Sequence, residues 1–238
     1  MQFNFTGGDK LFRLKGNLRY VKKVATRGAK KRITSQRIHI PLYIKEADTG
    51  VLKFWHDNVQ KKYIDNLSGR ADKGWNWPFI VNVKGAVSNK LGQEPTCFVV
   101  SIKNGAGNIH CGLVFVAKNY YALNDKNKKS CFIWYMATAP DEYYIARGLL
   151  KNDIPRLGNI LIDVAITTGF NSLKKGLIGL RASPKGKDSL LRFYKKSCKL
   201  KRLSSNVSLR FPRINDGRYF YTDEPRALEL SQSFDNLR

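Results

Sequence analysis

The sequence around one tyrosine in the C-terminal half of the chain is compatible with a catalytic role for the tyrosine hydroxyl. Residues 176–199, GLIGLRASPKGKDSLLRFYKKSCK, begin as an apolar strand, pass through a Gly/Pro/Lys turn and continue as an amphipathic helix that carries Tyr194. A phenol can donate a proton to a leaving group, which is general acid catalysis. The alternative is a half-buried aromatic residue that packs under an amphipathic helix, where tyrosine is common.

The cysteines and histidines form no recognisable metal-binding or redox pattern. The four cysteines are widely scattered without a Cys-x-x-Cys pair, and the three histidines lack metal-ligand spacing. Neither Cys131 nor Cys198 has a nearby histidine that would make it a nucleophile, so we expect inert thiols. The sequence therefore predicts a reduced protein without a metal.

Positive charge is the strongest global feature of the sequence. It has 43 Lys and Arg against 18 Asp and Glu, a net charge of +25. No acid lies between Asp9 and Glu46, where twelve basic residues accumulate, and none lies between Asp188 and Asp216, where eight do. Such a field favours an anionic partner, although a merely solvated basic surface is the alternative. The residues expected to bind nucleic acid or an acidic partner are Lys22, Lys23, Arg27, Lys30, Lys31 and Arg32.

The chain is predicted to be a basic N-terminal extension, residues 1–32, followed by one globular domain, residues 33–238. No run approaches the ~20 apolar residues that span a bilayer. The N-terminus lacks the basic-then-apolar plan of a secretory signal. We therefore expect a cytoplasmic protein, and non-classical secretion is left open. The oligomeric state is also left open, with a dimer among the possibilities.

Hydrophobic periodicity predicts an α/β protein with a sheet of mixed direction. Helices are predicted at residues 48–67, 156–169 and 188–198, and the spacing at residues 10–23 is also compatible with a helix. Strands are predicted at residues 37–44, 79–85, 95–102, 109–117, 131–138, 176–182, 206–211 and 217–223.

This order, and residues 176–199 in particular, resembles the GNAT superfamily of acyl-CoA-dependent N-acetyltransferases. The likeness covers roughly residues 37–223 and is strongest from 132 to 202. Members carry a YEK.GF-like signature on the helix after their fifth strand. Here RFYKKSCK stands in that place, with Cys198 and Lys199 at the glycine and phenylalanine positions. The resemblance implies a GNAT-like, mixed but mostly antiparallel central sheet flanked by helices.

The resemblance also implies acetyl-CoA as co-substrate. In the family the fourth strand bulges and splays from the fifth, and the gap holds the pantetheine arm; FIWYMAT and LIGLRAS would be these strands. The family's pyrophosphate loop, R/Q-x-x-G-x-G/A, corresponds to DIPRLGN, where Gly158 matches one glycine, Arg156 replaces the other and Asp153 stands at the Arg/Gln position. Unpaired N–H groups at a helix N-terminus suit a phosphate. The cofactor-binding residues expected are Met136, Ala137, Thr138, Arg156, Leu157, Gly158, Asn159, Ile160 and Ser183.

The catalytic roles follow from the same resemblance. Tyr194 would protonate the departing CoA thiolate, and a backbone N–H near the end of strand four would polarise the thioester carbonyl. The general base is left open among Asp141 and Glu142, just beyond strand four, His110 on the hairpin, and water.

The predicted function is transfer of an acetyl group from acetyl-CoA to an amine on a polyanionic or macromolecular acceptor, an aminoacyl-tRNA or a protein. Two alternatives are kept: a degenerate GNAT fold that binds nucleic acid without transfer, and an enzyme that modifies nucleic-acid bases. Trp75 and Trp77, which lie among basic residues, would stack on bases or form part of the core or a lid.

Overall fold

The structure is a computed structural model that describes residues 10–14, 20–23, 33–36, 40–104, 107–149, 156–209 and 213–235. A short pair of strands, β2 (Tyr20–Lys23) and β3 (Ile33–Gln36), stands apart from the main sheet. The main sheet contains β1 (Lys10–Leu14), β4 (Ile40–Glu46), β5 (Pro95–Asn104), β6 (Gly107–Tyr121), β7 (Lys129–Thr138), β8 (Ile178–Arg181), β9 (Lys201–Arg202) and β10 (Tyr219–Tyr221).

The eight strands of this sheet lie in the order β1-β4-β5-β6-β7-β8-β10-β9. Every neighbouring pair is antiparallel except β7 and β8, which are parallel. The mixed, mostly antiparallel sheet implied by the resemblance is confirmed. A parallel pair needs a crossover connection, and the helix between β7 and β8 supplies it.

Six α-helices are described: α1 (Thr49–Trp55), α2 (Trp77–Lys90), α3 (Asp141–Ile145), α4 (Leu157–Asn171), α5 (Lys187–Arg192) and α6 (Glu224–Gln232). Single π-helical turns, His56–Gln60 and Phe193–Ser197, continue α1 and α5. Short 3-10 turns lie at Ile64–Asn66 and Pro184–Gly186. In the part of the chain that the structure describes, no helix is long and apolar enough to cross a membrane.

Helix α4 is the crossover and lies against the middle of the sheet. It is buried almost all round, from Leu157 to Gly169. Gly112 on β6 permits this close approach, because a Cβ there would meet Leu161 Cδ1 at 3.0 Å and the Ala137 carbonyl at 3.1 Å. The N-terminus of α4 is thereby held beside the end of β7.

Helix caps explain where the sequence predictions succeeded and failed. The Asp48 side chain accepts a hydrogen bond from the Val51 N–H at 2.8 Å, which confirms the predicted start of α1. The strand predicted at residues 79–85 is wrong, because this segment lies in α2. There Asn76 caps the helix by accepting from the Phe79 N–H at 3.1 Å, with proline in the first turn.

Two further predictions differ from the structure, and one helix was not predicted. Residues 10–14 and 20–23 are strands, so the helix-compatible spacing at 10–23 is misleading. The strand predicted at 206–211 is absent from its described part, residues 206–209, and the short strand β9 precedes it. Helix α6 was not predicted, although Asp223 caps it by accepting from the Arg226 N–H at 3.1 Å.

The N-terminal basic region is described only in part. Strand β1 lies within the predicted extension and pairs with β4, and the boundary at residue 32 stays a prediction. Lys22 and Lys23 lie in β2. Arg27, Lys30, Lys31 and Arg32 lie outside the described residues.

Candidate active site

Strands β7 and β8 pair only over a short length and then separate. Their register contains three pairs, Cys131 with Ile178, Phe132 with Gly179 and Ile133 with Leu180. Beyond Ile133, β7 continues to Thr138 with β6 as its paired neighbour. A β-bulge lies at the point of separation, because Phe115 and Val116 pair with Tyr135 and Ile133 and leave Trp134 unmatched. The two strands therefore form the V-shaped gap expected from the resemblance.

A cleft of about 780 Å³ passes through this gap. Ile133 pairs with Leu180 and Leu180 with Phe220, so all three point to one face of the sheet. Tyr194 packs against Phe220 there, and we name this side the Tyr194 face.

The opposite side of the sheet carries a different set of residues. Phe132 and Tyr219 alternate with Ile133 and Phe220 along their strands and therefore point the other way. Arg213 lies over the Phe132 ring, and we name this side the Arg213 face. The cleft is thus lined by residues from both faces of the sheet.

Tyr194 forms part of the cleft wall on its face. It lies in the π-helical turn after α5, is 7% exposed, and its ring centroid lies 5.5 Å from that of Phe220. Burial raises the pKa of Tyr194, and Cys198 and Asp72 act in the same direction. The phenol therefore stays protonated over the whole physiological range. Tyr194 is both a packed aromatic and a cleft residue, and its acid role stays a prediction.

Helix α4 begins without a side-chain cap. Arg156 occupies the N-cap position with a left-handed φ of 61°, and the Ile160 N–H donates to the Arg156 carbonyl at 3.0 Å. The N–H groups of the first three helical residues precede the first intrahelical bond and so have no partner within the helix. An anion at this end would be stabilised by those groups and by the helix dipole.

Gly158 lies at this helix start and lines the cleft. A Cβ at this position would lie 2.7 Å from Phe193 Cζ. A side chain at this position would therefore displace the Phe193 ring, which precedes Tyr194 in sequence. This contact joins the start of α4 to the π-helical turn that follows α5.

The predicted cofactor residues fall into two groups. Five line the cleft: Met136, Ala137, Thr138, Gly158 and Ser183. The other four do not: Arg156, Leu157, Asn159 and Ile160. Leu157 and Ile160 are buried in the core, and the Asn159 amide donates to the Ser197 carbonyl at 2.6 Å. The Arg156 guanidinium lies 5.1 Å from the Phe234 ring and lines a separate, smaller cavity, so its predicted contact with a phosphate stays a prediction.

None of the predicted general bases lines the cleft. Asp141 and Glu142 form the first turn of α3. His110 is buried, with Nδ1 2.8 Å from Ser101 Oγ and its ring edge-on to Phe54 at 5.2 Å. Burial lowers the pKa of His110. The geometry therefore gives no support to a catalytic role for these three residues.

Sequence reasoning missed a charged pair in the cleft wall. The Arg70 Nε donates to Asp72 Oδ1 at 2.8 Å, and its Nη2 donates to Asp72 Oδ2 at 2.6 Å. The same Nη2 donates to the Thr138 carbonyl at 2.7 Å. This arrangement, which we call the Arg70 latch, ties the loop before α2 to the end of β7. Only an Arg-x-Asp spacing signals it in the sequence, and that spacing is not specific.

The two tryptophans of this loop have different environments. Trp77 is fully buried, so it belongs to the core and cannot stack on a base. Trp75 lines the cleft, with its ring edge-on to Tyr135 at 4.9 Å. Tyr135 pairs with Phe115 and points to the Arg213 face, so Trp75 forms part of the wall on that face.

The cysteines show no sign of reactivity. All four are free and buried. Burial raises the pKa of Cys111, Cys131 and Cys198 to about 12. Among the described residues, no group of three or more His, Cys, Asp or Glu side chains is placed to hold a metal ion.

No protein-family model and no curated protein sequence matches this chain. Solved structures resemble it in fold. An acetyltransferase of the GNAT family from Staphylococcus aureus Mu50 has 15% identity and a TM-score of 0.48, over 77% of this chain and 99% of that one. Spermidine N-acetyltransferase from Vibrio cholerae, in complex with CoA and spermine, has 18% identity and a TM-score of 0.45, over 79% and 98%. With such identities and scores, these likenesses transfer no residue role and no substrate to this chain.

The GNAT-like fold expected from the sequence is confirmed by the architecture itself. The parallel strands β7 and β8 are joined by α4 and then separate at a bulge. The helix that follows β8 carries Tyr194 in its extension, at the edge of the gap.

Proposed function

We propose that this chain is a GNAT-type N-acetyltransferase that transfers an acetyl group from acetyl-CoA to an amine. The observation that carries the proposal is the gap between β7 and β8 with Tyr194 in its wall. A cleft of about 780 Å³ lies within the range of small-molecule sites.

The groups that line the gap fit acetyl-CoA. Among the described residues, the inner edge of β7 beyond Ile133 pairs with no strand, and backbone groups at such an edge can pair with an extended ligand. The start of α4 offers N–H groups to a pyrophosphate. When bound, acetyl-CoA supplies an activated acetyl group as a thioester.

Two groups of the protein would then stabilise the negative charge that develops on the thioester oxygen and on the departing sulfur. A backbone N–H near Ala137 or Thr138 would donate to the thioester oxygen as negative charge develops there. Tyr194 would donate its proton, or a hydrogen bond, to the departing sulfur, an effect that general acids contribute at about 10²–10⁴-fold. Tyr194 is protonated at any physiological pH, and the raised pKa of its phenol favours a hydrogen bond to the sulfur over full proton transfer.

No dedicated general base is needed in this proposal. Asp72 is the acid among the lining residues that the structure describes, and both of its oxygens are held by Arg70. Positive charge near the acceptor amine lowers the amine's pKa, so more of it arrives in the neutral, nucleophilic form. Water can accept the remaining proton.

The acceptor is proposed to be polyanionic or macromolecular, an aminoacyl-tRNA or a protein. The net charge of +25 supports a partner of this kind, because a polyanion is attracted by a field of that sign. Lys22 and Lys23 on β2 and the neighbouring basic residues are proposed to contact it.

A second candidate is a protein that binds nucleic acid without acetyl transfer. One observation favours it. Arg156 replaces a glycine of the pyrophosphate loop and adopts a left-handed φ of 61°, a conformation that glycine accepts more readily than arginine. The sequence departs here from the family pattern for binding a pyrophosphate, which favours a chain that does not bind acetyl-CoA.

Binding of acetyl-CoA separates the two candidates. A ligand at 100 times its Kd adds about 2.7 kcal/mol of stability, which raises the Tm by about 5–10 °C for a chain of this size. Incubation with labelled acetyl-CoA and cell lysate should then place label in RNA or protein. If acetyl-CoA leaves the Tm unchanged while RNA or DNA binds in a salt-dependent manner, the second candidate replaces the first.

A further inference from the structure

Arg213 lies among aromatic rings on the face of the sheet opposite Tyr194. Its guanidinium carbon lies 4.5 Å from the ring centroid of Tyr120, 4.1 Å from that of Phe132 and 4.6 Å from that of Trp134. These rings stabilise a cation through their π faces. Arg213 also lines the cleft that passes between β7 and β8.

The charge of Arg213 has no carboxylate partner in the part of the chain that the structure describes. Its Nη1 atom is buried and makes no hydrogen bond there. The other two arginines of the cleft differ in this respect. Arg70 is paired with Asp72, and the Arg181 Nη2 lies 2.6 Å from Asp216 Oδ2.

A half-buried guanidinium with a donor that makes no hydrogen bond lowers the stability of the fold. Aromatic faces attract the charge, but they do not replace the hydrogen bonds that Nη1–H makes in water. Burial lowers the pKa of Arg213, yet a guanidinium stays protonated at neutral pH. A ligand oxyanion would both neutralise the charge and accept the missing hydrogen bonds.

The position of Arg213 indicates which substrate supplies that anion. In the proposed function the CoA sulfur leaves beside Tyr194, so the Arg213 face is the side left for the acceptor amine. Arg213, Trp134 and Trp75 lie on that face of the cleft. A group bound to the amine would therefore lie near Arg213.

We propose that Arg213 binds an oxyanion, a carboxylate or a phosphate, carried by the acceptor close to its reactive amine. This inference rests on the proposed acetyltransferase function and specifies its acceptor. A guanidinium recognises both oxyanions through two parallel N–H donors.

The same arrangement disfavours a polyamine. Among the described lining residues there are three arginines and one acid, Asp72, which Arg70 already neutralises. A polycationic acceptor would meet an unpaired positive charge in this cleft. The expected acceptor chemistry therefore differs from that of the spermidine N-acetyltransferase whose structure resembles this chain.

Matched pairs of amines test the proposal without knowledge of the natural acceptor. Calorimetry would measure the Kd of each amine for the protein–CoA complex. Phenylalanine against phenethylamine reports a carboxylate, phosphoethanolamine against ethanolamine reports a phosphate, and spermidine is the polycation. We expect at least one anionic amine to bind about tenfold or more tightly than its neutral counterpart.

Three variants test whether Arg213 causes the preference for the anionic amine. Arg213→Gln should abolish the preference for the anionic amine, whereas Arg213→Lys, which keeps the charge without the fork, should retain part of it. Lys126→Gln removes one exposed positive charge elsewhere and should retain it fully. Circular dichroism would verify that each variant is folded.

Four outcomes would overturn the proposal. In the first, the wild-type complex shows no preference for either anionic amine, or prefers spermidine. In the second, the preference survives in Arg213→Gln. In the third, Arg213→Gln weakens acetyl-CoA binding at least tenfold, which would assign the residue to the cofactor and leave the acetyltransferase function standing. In the last, the wild type binds neither acetyl-CoA nor CoA, so the proposed function fails and this inference falls with it.

Discussion

Replacing Arg70 with methionine tests whether the Arg70 latch holds the cleft wall. Methionine keeps much of the aliphatic stem and removes the guanidinium, so three hydrogen bonds are lost, two to Asp72 and one to the Thr138 carbonyl. The Asp72 side chain is 7% exposed and would be left as a carboxylate with little access to water.

The expected loss of stability can be estimated from this burial. Removing one partner of a buried ion pair costs about 3–5 kcal/mol, whereas an exposed pair is worth about 0–1 kcal/mol. The Arg70 side chain is 26% exposed, so water can reach the pair from one side. We therefore expect a loss of about 2–3 kcal/mol, or a fall in Tm of about 4–12 °C.

A double-mutant cycle with Asp72→Asn measures the coupling directly. Each single variant should destabilise the protein in urea denaturation, and the double variant should lose less than the sum, because neither charge is then left unpaired. The Km for an acceptor amine should rise in Arg70→Met, while the Kd of acetyl-CoA changes little. Additive losses, or a single-variant loss below about 0.5 kcal/mol, would show that the latch does not hold this loop.

Three further predictions follow from the same geometry. Tyr194→Phe should reduce kcat about 10²-fold or more and leave the Kd for acetyl-CoA unchanged. The control variant Tyr43→Phe, on the distant strand β4, should change neither quantity. If both variants had the same effect on kcat, the acid role of Tyr194 would be refuted. Gly158→Ala should cost about 1–3 kcal/mol in chemical denaturation because its Cβ would lie 2.7 Å from Phe193 Cζ, and adding Phe193→Leu should restore most of the loss if this contact is the cause. The buried thiols have raised pKa values, about 12 for three of them, so they stay protonated in the folded state but ionise above about pH 8.5 when unfolded. Stability should therefore fall between about pH 8.5 and 12, by at most about 1.4 kcal/mol per pH unit for each thiol, and rapid reaction of the native protein with Ellman's reagent at pH 8 would contradict this burial.

The strands of the sheet and the crossover helix were predictable because their apolar residues recur with the period of a strand or of a helix. The hairpin of β5 and β6, the run before Thr138 and the apolar helix α4 each show such a pattern, and each lies close to its predicted position. Part of helix α2 was predicted as a strand because three of residues 80–83 are β-branched and thus typical of a strand. The sequence also contained a helix start signal, Asn76 followed by proline, and this signal is a more direct physical indicator of a helix than β-branched residues are of a strand.

The cleft residues were harder to find, because they come together only through tertiary contacts. Tyr194 and Met136–Thr138 were placed through the resemblance, and they do line the cleft. Arg70, Asp72 and Arg213 lie in polar loops without periodicity, and no local pattern predicts that these loops fold onto β7. Asp141 and Glu142 were chosen because they are near β7 in sequence; they form the first turn of α3 and are not among the residues that line the cleft.

The gap between β7 and β8 also constrains what can fill it. On its far side, β7 is paired with β6, and the chain after β8 remains joined to the β10 side, where the Ala182 N–H donates to the Arg218 carbonyl at 2.9 Å. Each strand is thus paired on its outer side. In the described part of the chain the backbone groups that face the gap pair with no strand, although the Thr138 carbonyl accepts from Arg70. Unpaired backbone groups in a partly dry site cost free energy unless water or a ligand satisfies them. An extended arm with its own amide groups, as in pantetheine, can pair with both edges, whereas a ligand without such groups would leave them unsatisfied. The open edge therefore favours a thioester carried on an amide-containing arm over a compact acyl donor of the same reactivity.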